Sequence, residues 1–271
     1  MVMPAGNIAF SPEFVKIKTE LQNARDHYIT LVEEYSQLVN VVGKNLETEY
    51  MLKLGKKEHE LFSCHVEILR IKREIAIFQA ARNRGETVSA EEVKLVIERE
   101  FAEYKKQLEE QCKKLQSAQE HFSAPKLTDE KTKVFKKLYH DIVRKLHPDL
   151  NPDLPAGAAE LWERVQTAYK ANYWDELFLL SDMADELLEG KIDFVESINT
   201  MEQIKEELAK ITQKTADLAK QIADTRQRVP YSYETLLADS AEVMRKRSEL
   251  DEQIKICKEH IAELQTIRAQ F

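Results

Sequence analysis

The chain has 271 residues, of which only 6 are glycine and 7 proline, while 32% are charged. That balance excludes an architecture of short strands and turns and predicts an all-α protein built from long helices with solvated faces. A formal net charge of −8 argues against a general nucleic-acid binder, which carries a basic excess.

Cys64, Cys112 and Cys257 lie far apart with no CxxC spacing. A zinc site needs four convergent ligands, so the cysteines read as small apolar fillers of helix seams, a usage that suits a reducing compartment. The opening residues hold no signal-type apolar run, and no stretch approaches the roughly 20 apolar residues needed to span a bilayer. The expectation is a cytoplasmic protein without membrane contact, metal or cofactor.

From Ser11 onward, apolar residues recur at alternating spacings of three and four: Phe14, Ile17, Leu21, Ala24, Tyr28, Leu31, Tyr35, Leu38 and Val42. This predicts a helix packed by knobs into holes, with Ser11 as its N-cap and Pro12 in its first turn. Leu46, Tyr50 and Leu54 continue by fours, a stutter flanked by Gly43 and Gly55, where either a kink or unbroken helix is possible. Regular spacing returns at Leu61, Cys64, Ile68, Ile71, Ile75 and Phe78. Gly85 then suits a C-cap, and Ser89 with Glu92 forms a capping box for a helix with its seam at Ile97, Phe101, Tyr104, Leu108, Leu115 and Phe122. The expectation for 11–123 is an antiparallel helical hairpin, with arms of roughly 50–60 Å at the α-helical rise.

A breaker at Ser123-Ala124-Pro125 opens a middle unit, expected over 127–190. Its helix begins at Asp129, with Thr128 an alternative cap, and carries Phe135, Leu138, Tyr139, Ile142 and Leu146 on one face. Lys133, Lys136, Lys137, Arg144 and Lys145 occupy the others. Pro148 must stop it, so a basic helix delivers His147-Pro148-Asp149 into a turn followed by Asn151. A second helix starts near Ala158 with Leu161, Trp162, Val165, Ala168 and Tyr169 as its stripe. Asn172 can cap a third, which contains Trp174, Leu177, Leu180, Met183 and Leu187. Beyond it, the seams Met201 to Ile222 and Leu236 to Leu264, separated by Val229-Pro230, predict a second hairpin over 191–271.

Two antiparallel helices joined by a His-Pro-Asp loop resemble helices II and III of the J-domain, the module of DnaJ-type co-chaperones. Tyr139 and Ile142, eight and five residues before His147, stand where the family has Tyr and Leu. Trp162, Val165, Ala168 and Tyr169 follow the helix III pattern. The resemblance covers about a quarter of the chain. It implies a J-domain-like helix pair flanked by two coiled-coil hairpins. It also implies docking on a DnaK-type heat-shock chaperone through His147, Pro148, Asp149, Lys133, Lys136, Lys137, Tyr139, Arg144, Lys145 and Asn151, with stimulation of that partner's ATPase. The chain itself would not be an enzyme.

His140, Asp141, Leu150 and Glu163 depart from the basic residues usual at those positions, and no segment before Lys131 matches helix I. The end of the N-terminal hairpin, or the helix after Tyr169, is expected in its place. No Gly/Phe-rich linker or zinc module follows, so client binding would fall to the arms, whose client is unknown. The alternative is a structural coiled-coil scaffold whose degenerate J-domain no longer activates a chaperone. The long seams also allow a homodimer. The seven scattered histidines supply no HExxH-type pattern.

Overall fold

The computed structural model describes residues 11–123, 129–189, 194–198 and 200–271. Among them there is no strand, and every regular element is helical. The expected breaker at Ala124-Pro125, the alternative cap Thr128, the unit limits at 127 and 190, and the opening residues lie outside the described residues. So does the Asp129 side chain.

The elements are α1 (Pro12–Gln37), α2 (Gly43–Tyr50), α3 (Lys56–Arg84), α4 (Ala90–Glu100), α5 (Ala102–Ser123), α6 (Asp129–Leu146), α7 (Ala158–Ala171), α8 (Trp174–Leu187), α9 (Phe194–Ser197), α10 (Met201–Arg226), α11 (Glu234–Ala238) and α12 (Ser240–Arg268). Five-residue π turns occupy Leu38–Val42 and Met51–Gly55. Both therefore sit at the stutter, where the extra residue of a π turn absorbs the mismatch between spacings of four and the helical repeat. Gly43 and Gly55 are helical.

The compact units are two, and each is discontinuous: residues 1–42 with 126–228, and residues 43–125 with 229–271. This replaces the three consecutive units expected from the seams. A stripe of apolar residues specifies that a helix is covered, not which helix covers it. α1 finds its partner in α10 rather than in α5, and α12 pairs with α3 rather than with α10.

In the first unit α6 and α7 form an antiparallel pair, with ring contacts in opposite chain order. Phe135 stacks on Tyr169, Tyr139 on Tyr169 and Trp162, and His147 meets Trp162 edge-on. α8 runs along α6 in the same direction, from Phe135–Trp174 at one end to Lys145–Asp185 at the other. Ile142, Val143, Leu146, Val165, Ala168, Leu177 and Leu180 are fully enclosed between the three. α8 thus packs on both members of the pair. Asn172 has a different role from the one expected: at φ 56° it closes α7 in the left-handed conformation, and Tyr173 precedes α8 with no side-chain cap.

α1 packs on α6 and on α10. The seam read from its sequence is only half of what it buries, since Arg25, Ile29 and Val32 are covered along with Phe14, Leu21 and Tyr28.

In the second unit α3 runs antiparallel to α4 and α5, tied to α4 by Arg73–Glu100 and to α5 by His59–Gln111. α12 runs parallel to α3 through Lys57–Asp251, Glu60–Lys258 and Glu74–Arg268. Ser11, Gly85 and the Ser89–Glu92 box cap their helices as the sequence reads. The helix expected across Phe101 is divided there, at φ −100° and ψ 8°.

A Cβ built on Gly55 would lie 2.7 Å from Met51 Sδ and 3.3 Å from Leu115 Cδ2 of α5. Gly55→Val should therefore destabilise this unit by about 1–3 kcal/mol through overpacking, measured by urea unfolding. An unchanged midpoint would show that α5 does not approach so closely.

Candidate partner-docking site

The turn after α6 is built by its own backbone and by Asn151. His147 N–H completes the last helical bond, donating to Val143 O at 3.0 Å. Pro148 ends the ladder, and the Leu150 and Asn151 amides turn back to His147 O, both at 3.0 Å. The Asn151 side-chain Nδ2 donates to Arg144 O at 2.9 Å and Lys145 O at 3.0 Å, satisfying carbonyls that a helix end leaves without partners. The Asp149 amide donates to His147 Nδ1 at 3.2 Å, which fixes that nitrogen as an acceptor.

Pro148 is exposed and His147 and Asp149 are half-buried. The imidazole lies between Tyr28, edge-on at 5.5 Å between centroids, and Trp162 at 5.2 Å. Both Asp149 oxygens are taken: Tyr28 Oη donates to one at 2.6 Å and Lys214 Nζ to the other at 2.7 Å.

Burial lowers the His147 pKa below the ordinary histidine value. The Asp149 charge opposes the shift, and Lys214 adds to it. Partial burial would raise the Asp149 carboxyl, but the bonds from Lys214 and Tyr28 outweigh it and hold that group below its usual range. The turn therefore presents a neutral imidazole beside a carboxylate at neutral pH.

Beyond the tripeptide, the expected docking residues divide into four groups. Lys133 and Lys137 are exposed and Lys136 half-exposed on α6, and none of the three forms an ion pair among the described residues. Arg144 and Lys145 are engaged within the chain, with Asp26 of α1 and Asp185 of α8. Tyr139 is a core residue rather than a surface contact: it is 2% exposed, stacked on Tyr169 at 3.8 Å and hydrogen-bonded to Ser36 at 3.0 Å. Asn151 is a helix cap.

Tyr28, Arg25 and Lys214 meet the turn without any sequence signal that places them there. Tyr28 read as one more seam residue, and Arg25 and Lys214 belong to no motif. Arg25 is 4% exposed, bonded to Leu150 O and stacked over Phe194 at 5.6 Å.

Among the described residues no group of His, Cys, Asp or Glu could hold a metal ion, and no helix is long and apolar enough to cross a membrane. Comparison with protein-family models, with curated proteins and with solved structures finds no match to this chain.

Two measurements test this geometry. Asn151→Ala should cost about 1 kcal/mol by leaving the α6 carbonyls without a donor, read by chemical denaturation. Because the unfolded chain takes up a proton at His147 at a higher pH than the folded chain does, stability should fall as pH drops below about 6.5. The Asp149 contribution persists further, and is lost only as pH falls through its depressed folded value. The thermal midpoint of wild type should therefore drop more between pH 7 and 5.5 than that of His147→Gln. Equal drops would show that His147 is not shielded.

Proposed function

We propose that the chain is a co-chaperone that docks a DnaK-type heat-shock chaperone through α6 and the His147-Pro148-Asp149 turn, stimulating ATP hydrolysis on that partner. The observation that carries this reading is the presentation of the turn: a helix with exposed lysines ends at an exposed proline flanked by an imidazole and a carboxylate, braced from behind by the ring ladder to α7.

Such a module needs no chemistry of its own. Lys133, Lys136 and Lys137 provide a local positive field on an otherwise acidic chain, enough to steer encounter with an acidic surface. Pro148 and the Asn151 cap hold the turn in one conformation, which reduces the ordering cost of binding. The carboxylate and the neutral imidazole then supply an acceptor and a polar ring for a partner. In this reading the protein is cytoplasmic, uses no cofactor, and employs its remaining helices to hold a client or scaffold.

A second reading, a structural scaffold with a J-like turn that no longer activates a chaperone, is favoured by one observation. Asp149 already has both oxygens bonded within the chain.

Steady-state ATPase assays of a DnaK-type chaperone separate the two. Wild type should stimulate hydrolysis, His147→Gln should abolish stimulation, and Lys137→Glu, a change on an exposed position, should weaken it at least several-fold and reduce its salt sensitivity. Equal rates with and without the wild-type chain, at saturating concentration and low salt, would decide for the scaffold.

A further inference from the structure

We infer that α1, together with Lys214 of α10, is a built-in competitor for the docking end of α6. The turn would therefore be released for a partner only when this seat loosens. The inference rests on the co-chaperone reading above.

Arg25, Asp26 and Tyr28 of α1 take the groups a partner would need. Asp26 Oδ1 accepts from Arg144 Nη2 at 2.9 Å, Tyr28 Oη donates to Asp149, and the Arg25 guanidinium donates to Leu150 O and, at 3.4 Å, to Asn151 Oδ1. The Tyr28 ring also covers one edge of the His147 imidazole. α10 closes the remaining side of the carboxylate through Lys214.

These contacts imitate a docking partner in chemical kind: a carboxylate on a helix II cation, a hydroxyl and an ammonium on the aspartate, and an aromatic edge on the histidine. They span 65 to 126 residues of sequence, so they are not local features of the turn. The proximal cations, Lys133 and Lys137, stay exposed.

The division has a mechanical meaning. A partner can be attracted by the free lysines while the groups that would trigger hydrolysis are held. Apparent affinity is then reduced by the fraction of molecules in which the turn is released, and any event that weakens the α1 seat raises that fraction.

The test uses the full chain as wild type, Tyr28→Phe, Lys214→Gln and the double variant, with a DnaK-type chaperone and ATP. Tyr28→Phe keeps the ring in its buried place and removes only the hydroxyl. Lys214→Gln removes the ammonium from a partly exposed position. Hydrogen exchange at the amides of 149–151 supplies a readout that needs no chaperone, and circular dichroism checks that the variants fold.

The double variant should reach half-maximal stimulation at a concentration at least about three-fold lower than wild type, with faster exchange at the turn. Wild-type stimulation that is unchanged in the double variant would overturn the competitor while leaving the co-chaperone reading intact. If neither wild type nor any variant stimulates hydrolysis, although turn exchange accelerates in the variants, both fall together.

Discussion

The ring ladder between α6 and α7 is the interaction on which the first unit depends. Phe135, Tyr139, Trp162 and Tyr169 meet in opposite chain order, so the two helices have one register and one direction. Aromatic side chains bury roughly 150–250 Å² each and gain about 0.5–1.5 kcal/mol per pair beyond that area. A slip by one helical turn would break the stacks together and move Trp162 away from His147. The position of the turn is therefore decided by packing well inside the unit, and the polar residues at the surface inherit it.

Buried charge contributes fixed geometry in both units. In the first, Arg25 is enclosed and bonded to a backbone carbonyl of the turn. In the second, Glu74 is 8% exposed and held by Arg70 and Arg268. Removing such a group from water is costly unless its partners are well placed. Each arrangement therefore penalises neighbouring registers more than it stabilises the correct one. Apolar seams alone, with their tolerance for sliding and exchange, would not discriminate as sharply.

Much of the local structure was legible in the sequence. Ser11, Gly85, and Ser89 with Glu92 act as helix punctuation because capping is decided within four residues. The stop at Pro148 and the stripes of α6 and α7 are local in the same sense.

The pairing of the long helices was not legible. The seam of α1 would fit several apolar stripes equally well, and its second buried face, with Arg25 on it, resembles an ordinary solvated edge. Asn172 misled because asparagine suits both a helix start and a left-handed helix end, and the Tyr169 and Ala168 carbonyls captured its amide. At the site, the histidine, proline and aspartate declared themselves as a tripeptide. The residues that touch them come from chain positions with no motif, since Lys214 is one of many lysines on an amphipathic helix.

The discontinuity of the first unit has a consequence for biosynthesis. Tyr35 and Glu34 of α1 meet residues of α10 that follow them by 186 and 192 positions. At translation speeds of about 5–20 residues per second, α1 waits on the order of 10–40 s beyond the ribosome before its partner emerges. For the first part of that interval its apolar stripe has no native cover, and once α6 is made the part of it that meets α10 still has none, while α3 and α5 can already close on one another. The nascent chain would be most prone to aggregation before α10 is made, and the order of emergence favours completing the α6–α7–α8 core before α1 is seated on it.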